Sequence, residues 1–143
     1  KPVNIKKGQF ASADIMNHAI EKVKAIGNNQ GLLTERGTFL GYEDLVVDMR
    51  NIAKMKASGV PVIYDGTHSV QEPGKAVGKS GGDRSMIPTL TYAALAAGAD
   101  GLFIETHPEP AKGLSDAATM YPLSDLEKLL ENSKRIYEMV RGF

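Results

Sequence analysis

The sequence predicts an α/β fold: four successive βα units around a parallel sheet. Short apolar runs near positions 3, 31, 60 and 101 alternate with stretches of helical periodicity. The run at 31–34 is apolar on both faces, as a strand buried in a parallel sheet is. Each run also ends in charged or imidazole side chains: Lys6 and Lys7, Glu35 and Arg36, Asp65 and His68, Glu105 and His107. In α/β folds the chemistry gathers on loops at the C-terminal ends of the strands, so these clusters form one candidate site.

The elements follow in order. Val3, Asn4 and Ile5 form the first strand. Ser12 then caps a helix with Ile15, Ala19, Val23 and Ile26 on one face, and Gly27 ends it. After the second strand a helix is expected over 44–57, with Leu45, Met49, Ile52 and Met55 as its buried stripe and Gly59 as its stop. The third strand is 60–64. Segment 66–83 reads as a long glycine-rich loop, and such a loop in a compact domain is either functional or disordered. An Ala-rich buried helix over 86–97 ends at Gly98, and 101–104 is the fourth strand. A loop over 106–120 carries Asp116. The last helix opens on a capping box, Ser124-x-x-Glu127, and continues through Leu126, Leu129, Leu130, Ser133, Ile136, Tyr137 and Val140.

A chain of 143 residues has the length of one ordinary domain, and a 42% hydrophobic content suffices for a core. Its 17 basic and 17 acidic side chains cancel, which removes the electrostatic case for nucleic acid or an anionic membrane. No apolar run is long enough to predict a membrane span. The absence of cysteine excludes disulfides and thiolate ligands from this chain and suits a cytoplasmic protein. Four βα units allow two architectures: a small open doubly wound sheet, or half of an eight-stranded barrel, for which about 250 residues is typical. The first turn, Lys6-Lys7-Gly8-Gln9, is not the glycine fingerprint of a dinucleotide-binding sheet. A strand beginning within the first three residues reads as a chain that starts mid-domain, which the half barrel explains. A half barrel would leave two sheet edges in need of partners.

Successive strand residues point to opposite faces, so one of Lys6 and Lys7 enters the site. With Arg36 it would suit a phosphate or carboxylate; the alternative is a pair of solvated charges. His68, Glu105 and Asp116 are nitrogen and oxygen donors from neighbouring units. Such a set suits a divalent first-row ion and leaves room for water or substrate, although each residue alone is more simply a hydrogen-bonded side chain. His107 competes as a ligand, but the proline after it suggests a residue held in a turn. Asp65 either orients an imidazole from behind or is a satisfied strand-end carboxylate. Mid-helix His18 lies on a polar face. The Lys79-Ser80-Gly81-Gly82 segment offers backbone N–H groups and a hydroxyl for a phosphate, without the order of a P-loop; a loop free of ligand is the other reading.

Taken together, V-N-I-K-K-G-Q-F, L-T-E-R-G-T-F-L-G-Y-E-D-L-V-V-D-M-R, V-I-Y-D-G-T-H-S-V-Q, K-S-G-G-D-R and G-L-F-I-E-T-H-P-E-P-A-K-G-L-S-D-A resemble the 3-deoxy-D-manno-octulosonate 8-phosphate synthases over essentially the whole chain. The related 3-deoxy-D-arabino-heptulosonate 7-phosphate synthases share E-R-G, the T-H-like turn and E-x-H-P-E-P. The first two strings look more like the octulosonate enzymes. The resemblance implies a (β/α)8 TIM barrel, of which residues 1–143 supply the last four βα units, its C-terminal half. It implies a cytoplasmic homotetramer that condenses phosphoenolpyruvate with arabinose 5-phosphate and water in lipopolysaccharide precursor synthesis. Lys6 and Arg36 match residues that hold phosphoenolpyruvate, and Ser80 one that contacts the sugar phosphate. His68, Glu105 and Asp116 match the divalent metal ligands of the metal-dependent class, with His68 and Asp116 expected to serve catalysis. That class draws a fourth ligand, a cysteine, from the first half of the barrel; the other class has asparagine there and needs no metal. The L-S-D-A string around Asp116 looks more like the metal-dependent class. Without the missing N-terminal half this chain is expected to be inactive. The heptulosonate synthase and a non-catalytic half barrel that binds phosphorylated ligands are the alternatives.

Overall fold

The computed structural model describes residues 1–41, 43–76 and 79–143, the side chains of Ala76, Lys79 and Ser80 excepted. In chain order the elements are β1 (Val3–Lys6), α1 (Ala13–Ala25), β2 (Gly31–Glu35), β3 (Thr38–Phe39), β4 (Leu45–Val46), α2 (Arg50–Lys56), β5 (Val62–Asp65), β6 (Gln71–Ala76), β7 (Lys79–Gly82), α3 (Ile87–Ala96), β8 (Gly101–Phe103), β9 (Thr106–His107), β10 (Tyr121–Pro122) and α4 (Leu123–Val140). Short 3-10 turns lie at His68–Val70, Arg84–Met86 and Pro110–Lys112.

β1, β2, β5 and β8 pair in parallel in that order. A doubly wound sheet reverses its strand order part-way so that helices cover both faces. No reversal occurs here, and crossovers of one hand place their helices on one side. The core follows from this. Ala13, Met16 and Ile20 of α1, Ile52 and Met55 of α2, and Ala94 and Leu95 of α3 pack with Leu33, Val62 and Tyr64 of the sheet. Strand alternation then sends Lys6, Ile63, Asp65 and Phe103 to the opposite face. At the N-terminal ends of the strands, Lys56 and Arg141 both bind Asp100 Oδ1 (2.8 and 3.1 Å). Asp100 Oδ2 accepts the Val62 N–H (2.9 Å), so that end is closed by its own ion pairs. No helix among the described residues is long and apolar enough to cross a membrane.

Several local expectations need correction. The buried face of α1 is Ala13, Met16 and Ile20, whereas Ile15 is 54% and Ile26 82% exposed. Ile20 sets the rotation, because its side chain fills the space that a Cβ on Gly31 would occupy. The second helix begins at Arg50 rather than near residue 44. Leu45 and Val46 instead pair antiparallel with Thr38 and Phe39. The Asp48 carboxylate accepts the Arg50 N–H (3.0 Å) just ahead of the helix, whose N-cap, Met49, makes no side-chain cap. Segment 66–83 is not a bare loop: β6 and β7 form an antiparallel hairpin, with Gln71 opposite Gly82. The capping box of α4 does not form. Pro122 precedes the helix without a side-chain cap, and the Ser124 hydroxyl donates to Asp125 (2.9 Å). Pairing of Pro122 with His107 fixes the chain up to Leu123, which leaves Ser124 inside the first turn.

Candidate functional site

Alternation at the end of β1 separates the two lysines as expected. Lys7 is 1% exposed and lies under the turn, donating to Gly37 O (2.8 Å) and Thr38 Oγ1 (3.0 Å), with Glu35 Oε1 at 3.4 Å. Lys6 emerges on the open face. Its ammonium lies 2.6 Å from Asp65 Oδ2 and 4.1 Å from the centre of the Phe103 ring. One residue beyond β2, Arg36 donates to Gln71 Oε1 (2.5 Å) and to the His68 carbonyl (3.3 Å). Burial lowers the pKa of Arg36, while Asp65, Asp116 and Glu35 act to keep its charge.

Asp65 is the hub. Its oxygens lie 3.1 and 2.9 Å from His68 Nδ1, and Oδ1 also accepts the His68 N–H (2.9 Å). Burial pushes this carboxyl up, but the hydrogen bonds from His68 and Lys6 outweigh that and hold it below the usual carboxylate range. An ionised Asp65 cannot donate, so Nδ1 bears a proton directed at it, and Nε2 is the ring atom turned toward the rest of the cluster. Nε2 lies 3.5 Å from Glu105 Oε1 and 3.9 Å from Asp116 Oδ2. Glu105 is set by its N–H to Thr67 Oγ1 (3.2 Å) and its carbonyl, which accepts the Tyr121 N–H (2.9 Å). Asp116 sits in the left-handed region (φ 49°), and its carbonyl accepts the N–H groups of Thr119 and Met120 (2.9 and 3.0 Å).

The ligand atoms of His68, Glu105 and Asp116 all lie within 4.8 Å of one another. Donors around a tetrahedral first-row ion, at about 2.1 Å from it, are about 3.4 Å apart. The set therefore fits such an ion: one imidazole nitrogen with its far side held, two carboxylates, and further positions for water or substrate.

The pattern of the DAHP synthetase I family matches residues 1–141. The chain belongs to that family. Curated relatives are named 2-dehydro-3-deoxyphosphooctonate aldolase. That of Nitrosococcus oceani is 50% identical over 99% of this chain and 50% of its own length. The Legionella pneumophila (strain Corby) protein is 51% identical over 100% of the chain and 52% of its own length. That of Francisella philomiragia is 48% identical over 99% and 52%. The chain spans about half the length of the curated relatives it matches. The family resemblance read from the motifs is thereby met.

Within this member of the DAHP synthetase I family, His107 stands apart from the cluster. Its Nδ1 accepts the Glu109 N–H (2.9 Å), but the residue itself ends strand β9, and the turn expected of it begins only at Pro108. His18 is exposed on α1. Ser80 belongs to β7 by its backbone, and its side chain lies outside the described residues. Sequence reasoning missed Gln71, which is 8% exposed and bonds both Arg36 and Asp116. Its partners lie 35 and 45 residues away, and a single polar residue after the His68 turn gives no sign of them.

Proposed function

We propose that residues 1–143 supply the last four βα units, the C-terminal half, of a single (β/α)8 barrel. The full-length protein condenses phosphoenolpyruvate with D-arabinose 5-phosphate and water, giving 3-deoxy-D-manno-octulosonate 8-phosphate and inorganic phosphate. The observation that carries the reading is identity near 50%, end to end, to proteins named for the octulosonate product. The unreversed parallel sheet with an open face of charged residues supports the barrel, because strand-end chemistry belongs on such a rim.

Lys6 and Arg36 bind the carboxylate and phosphate of phosphoenolpyruvate and fix the face from which C3 attacks the aldehyde. The new C–C bond leaves the aldehyde oxygen to take a proton and positive charge at C2. Asp65, Glu105 and Asp116 offset the positive charge of Lys6, Arg36 and a bound ion, so that the pocket does not oppose that charge. Water adds at C2 and gives up one proton, which balances the one taken by the aldehyde oxygen; cleavage of the bond between C2 and the phosphate-ester oxygen then yields the ketone, the remaining hydroxyl proton leaving with inorganic phosphate. His68, Glu105 and Asp116 hold a divalent ion, which when bound would polarise the aldehyde or orient the water. His68 keeps its proton on Nδ1 against Asp65 throughout, so Nε2 stays available. The β6–β7 hairpin, which carries Ser80, covers the sugar phosphate and excludes bulk water. The remaining ligand position and most of the arabinose 5-phosphate site belong to the first four units, so the chain alone is inactive. The assembly is a cytoplasmic homotetramer in lipopolysaccharide precursor synthesis.

Phosphate release by the full-length protein tests the reading. It is expected only when arabinose 5-phosphate accompanies phosphoenolpyruvate. Release with erythrose 4-phosphate in its place moves the assignment to the heptulosonate synthase, and release with neither sugar overturns it.

A further inference from the structure

We infer that Gln71 is a positioning residue of the ion site, acting through Asp116 and tied to Arg36. This rests on the reading of His68, Glu105 and Asp116 as an ion site. The Gln71 amide is used at both ends: Oε1 accepts from Arg36 at 2.5 Å and Nε2 donates to Asp116 Oδ1 at 2.6 Å. Its orientation is fixed by chemistry. A guanidinium cannot accept and an ionised carboxylate cannot donate, so the reversed amide would oppose donor to donor and acceptor to acceptor. With Oδ1 occupied, Asp116 presents Oδ2 to His68 Nε2, 3.9 Å away. The carboxylate is thereby restricted to one-oxygen ligation on the side where Glu105 also points.

The backbone around this contact is set from the same side. Gln71 opens β6 opposite Gly82, and a Cβ on Gly82 would fall on the Thr119 side chain. Arg84, two residues further on, donates to the carbonyls of Ala117 and Ala118 (2.5 and 3.2 Å). The base of the hairpin and the Asp116 turn are thus fastened at three successive points, of which Gln71 alone reaches the carboxylate. Groups that hold a ligand from behind typically set metal affinity by roughly 10–100-fold.

Titration of the metal-free full-length protein with Co2+, read in the visible absorption bands, tests this without reference to turnover. Q71M keeps the length and volume of the side chain and removes both hydrogen bonds. Its Co2+ dissociation constant is expected to rise roughly 10–100-fold, with altered band intensities and a melting temperature close to that of the parent. Q71N keeps the amide but is one methylene short, and is expected to show a similar loss. If the parent binds Co2+ and both variants bind it equally well with the same spectrum, Gln71 positions nothing and the ion site itself stands. If the parent binds no Co2+, the ion-site reading fails and the inference falls with it. A variant that melts far below the parent while its Co2+ constant is unchanged assigns Gln71 to stability alone and overturns the proposal.

Discussion

At the scale of single residues, Asp65 links the two halves of the site. One carboxylate neutralises Lys6 and fixes the tautomer of His68. Its pKa is held below the unfolded value by those partners, against the opposing effect of burial. A depressed folded-state pKa contributes stability that is complete above the unfolded value of about 3.9 and is lost as pH falls through the folded value. Thermal melts at pH 7 and pH 3 should therefore show a smaller acid loss for Asp65→Asn than for the parent, although the variant starts lower at pH 7. Equal losses would remove Asp65 from the account. The same substitution offers His68 an amide in place of a carboxylate. Co2+ affinity in the full-length protein is expected to fall roughly 10–100-fold, measured by spectroscopic titration.

At the scale of elements, two contacts decide how turns are placed. Lys7 fastens the end of β1 to β3 through Gly37 and Thr38, with Glu35 beside it. Glu35 Oε2 has no hydrogen-bond partner among the described residues. Lys7→Met leaves that carboxylate buried without its cation and is expected to cost about 3–5 kcal/mol in denaturant unfolding. The double variant K7M/E35M should regain most of it, and a double variant as unstable as K7M would count against the pair. Gly82→Ala drives a methyl into Thr119 at the base of the hairpin. It is expected to cost about 1–3 kcal/mol, relieved in part by Thr119→Ser, which lacks the methyl that is struck. The four central strands and the order of units were legible, because apolar runs bounded by glycine and charge report burial directly. So were His68, Glu105 and Asp116 as a joint set, since each stands at or beyond a strand end. The β3–β4 ribbon was hidden because Leu45 and Val46 satisfy a helical stripe as well as a strand. The β6–β7 hairpin was hidden because glycine-rich strands carry little side-chain pattern. Gln71 was hidden because its meaning lies in partners distant along the chain.

At the scale of the whole molecule, β1 and β8 have no strand on their outer sides among the described residues. Unpaired parallel edges recruit further strands. The isolated 143-residue chain is expected to sediment as self-associated species. A stable monomer across a concentration series would argue that the edges are otherwise protected and would weaken the half-barrel reading. The two sides of the sheet are meanwhile committed to different tasks. One carries Ile5, Leu33, Val62 and Tyr64 against the helices, and the other carries Lys6 and Asp65 toward the open rim. Strand residues alternate between these sides, so neighbours in sequence answer to separate selection. In an exhaustive substitution scan, changes at Ile5 and Tyr64 would register as lost abundance. Changes at the adjacent Lys6 would leave abundance near normal and register chiefly at the candidate site, whereas changes at buried Asp65, which also contributes stability, would register in both. Along β1 the two phenotypes would interleave with a period of two, a genetic imprint of which side faces the candidate site.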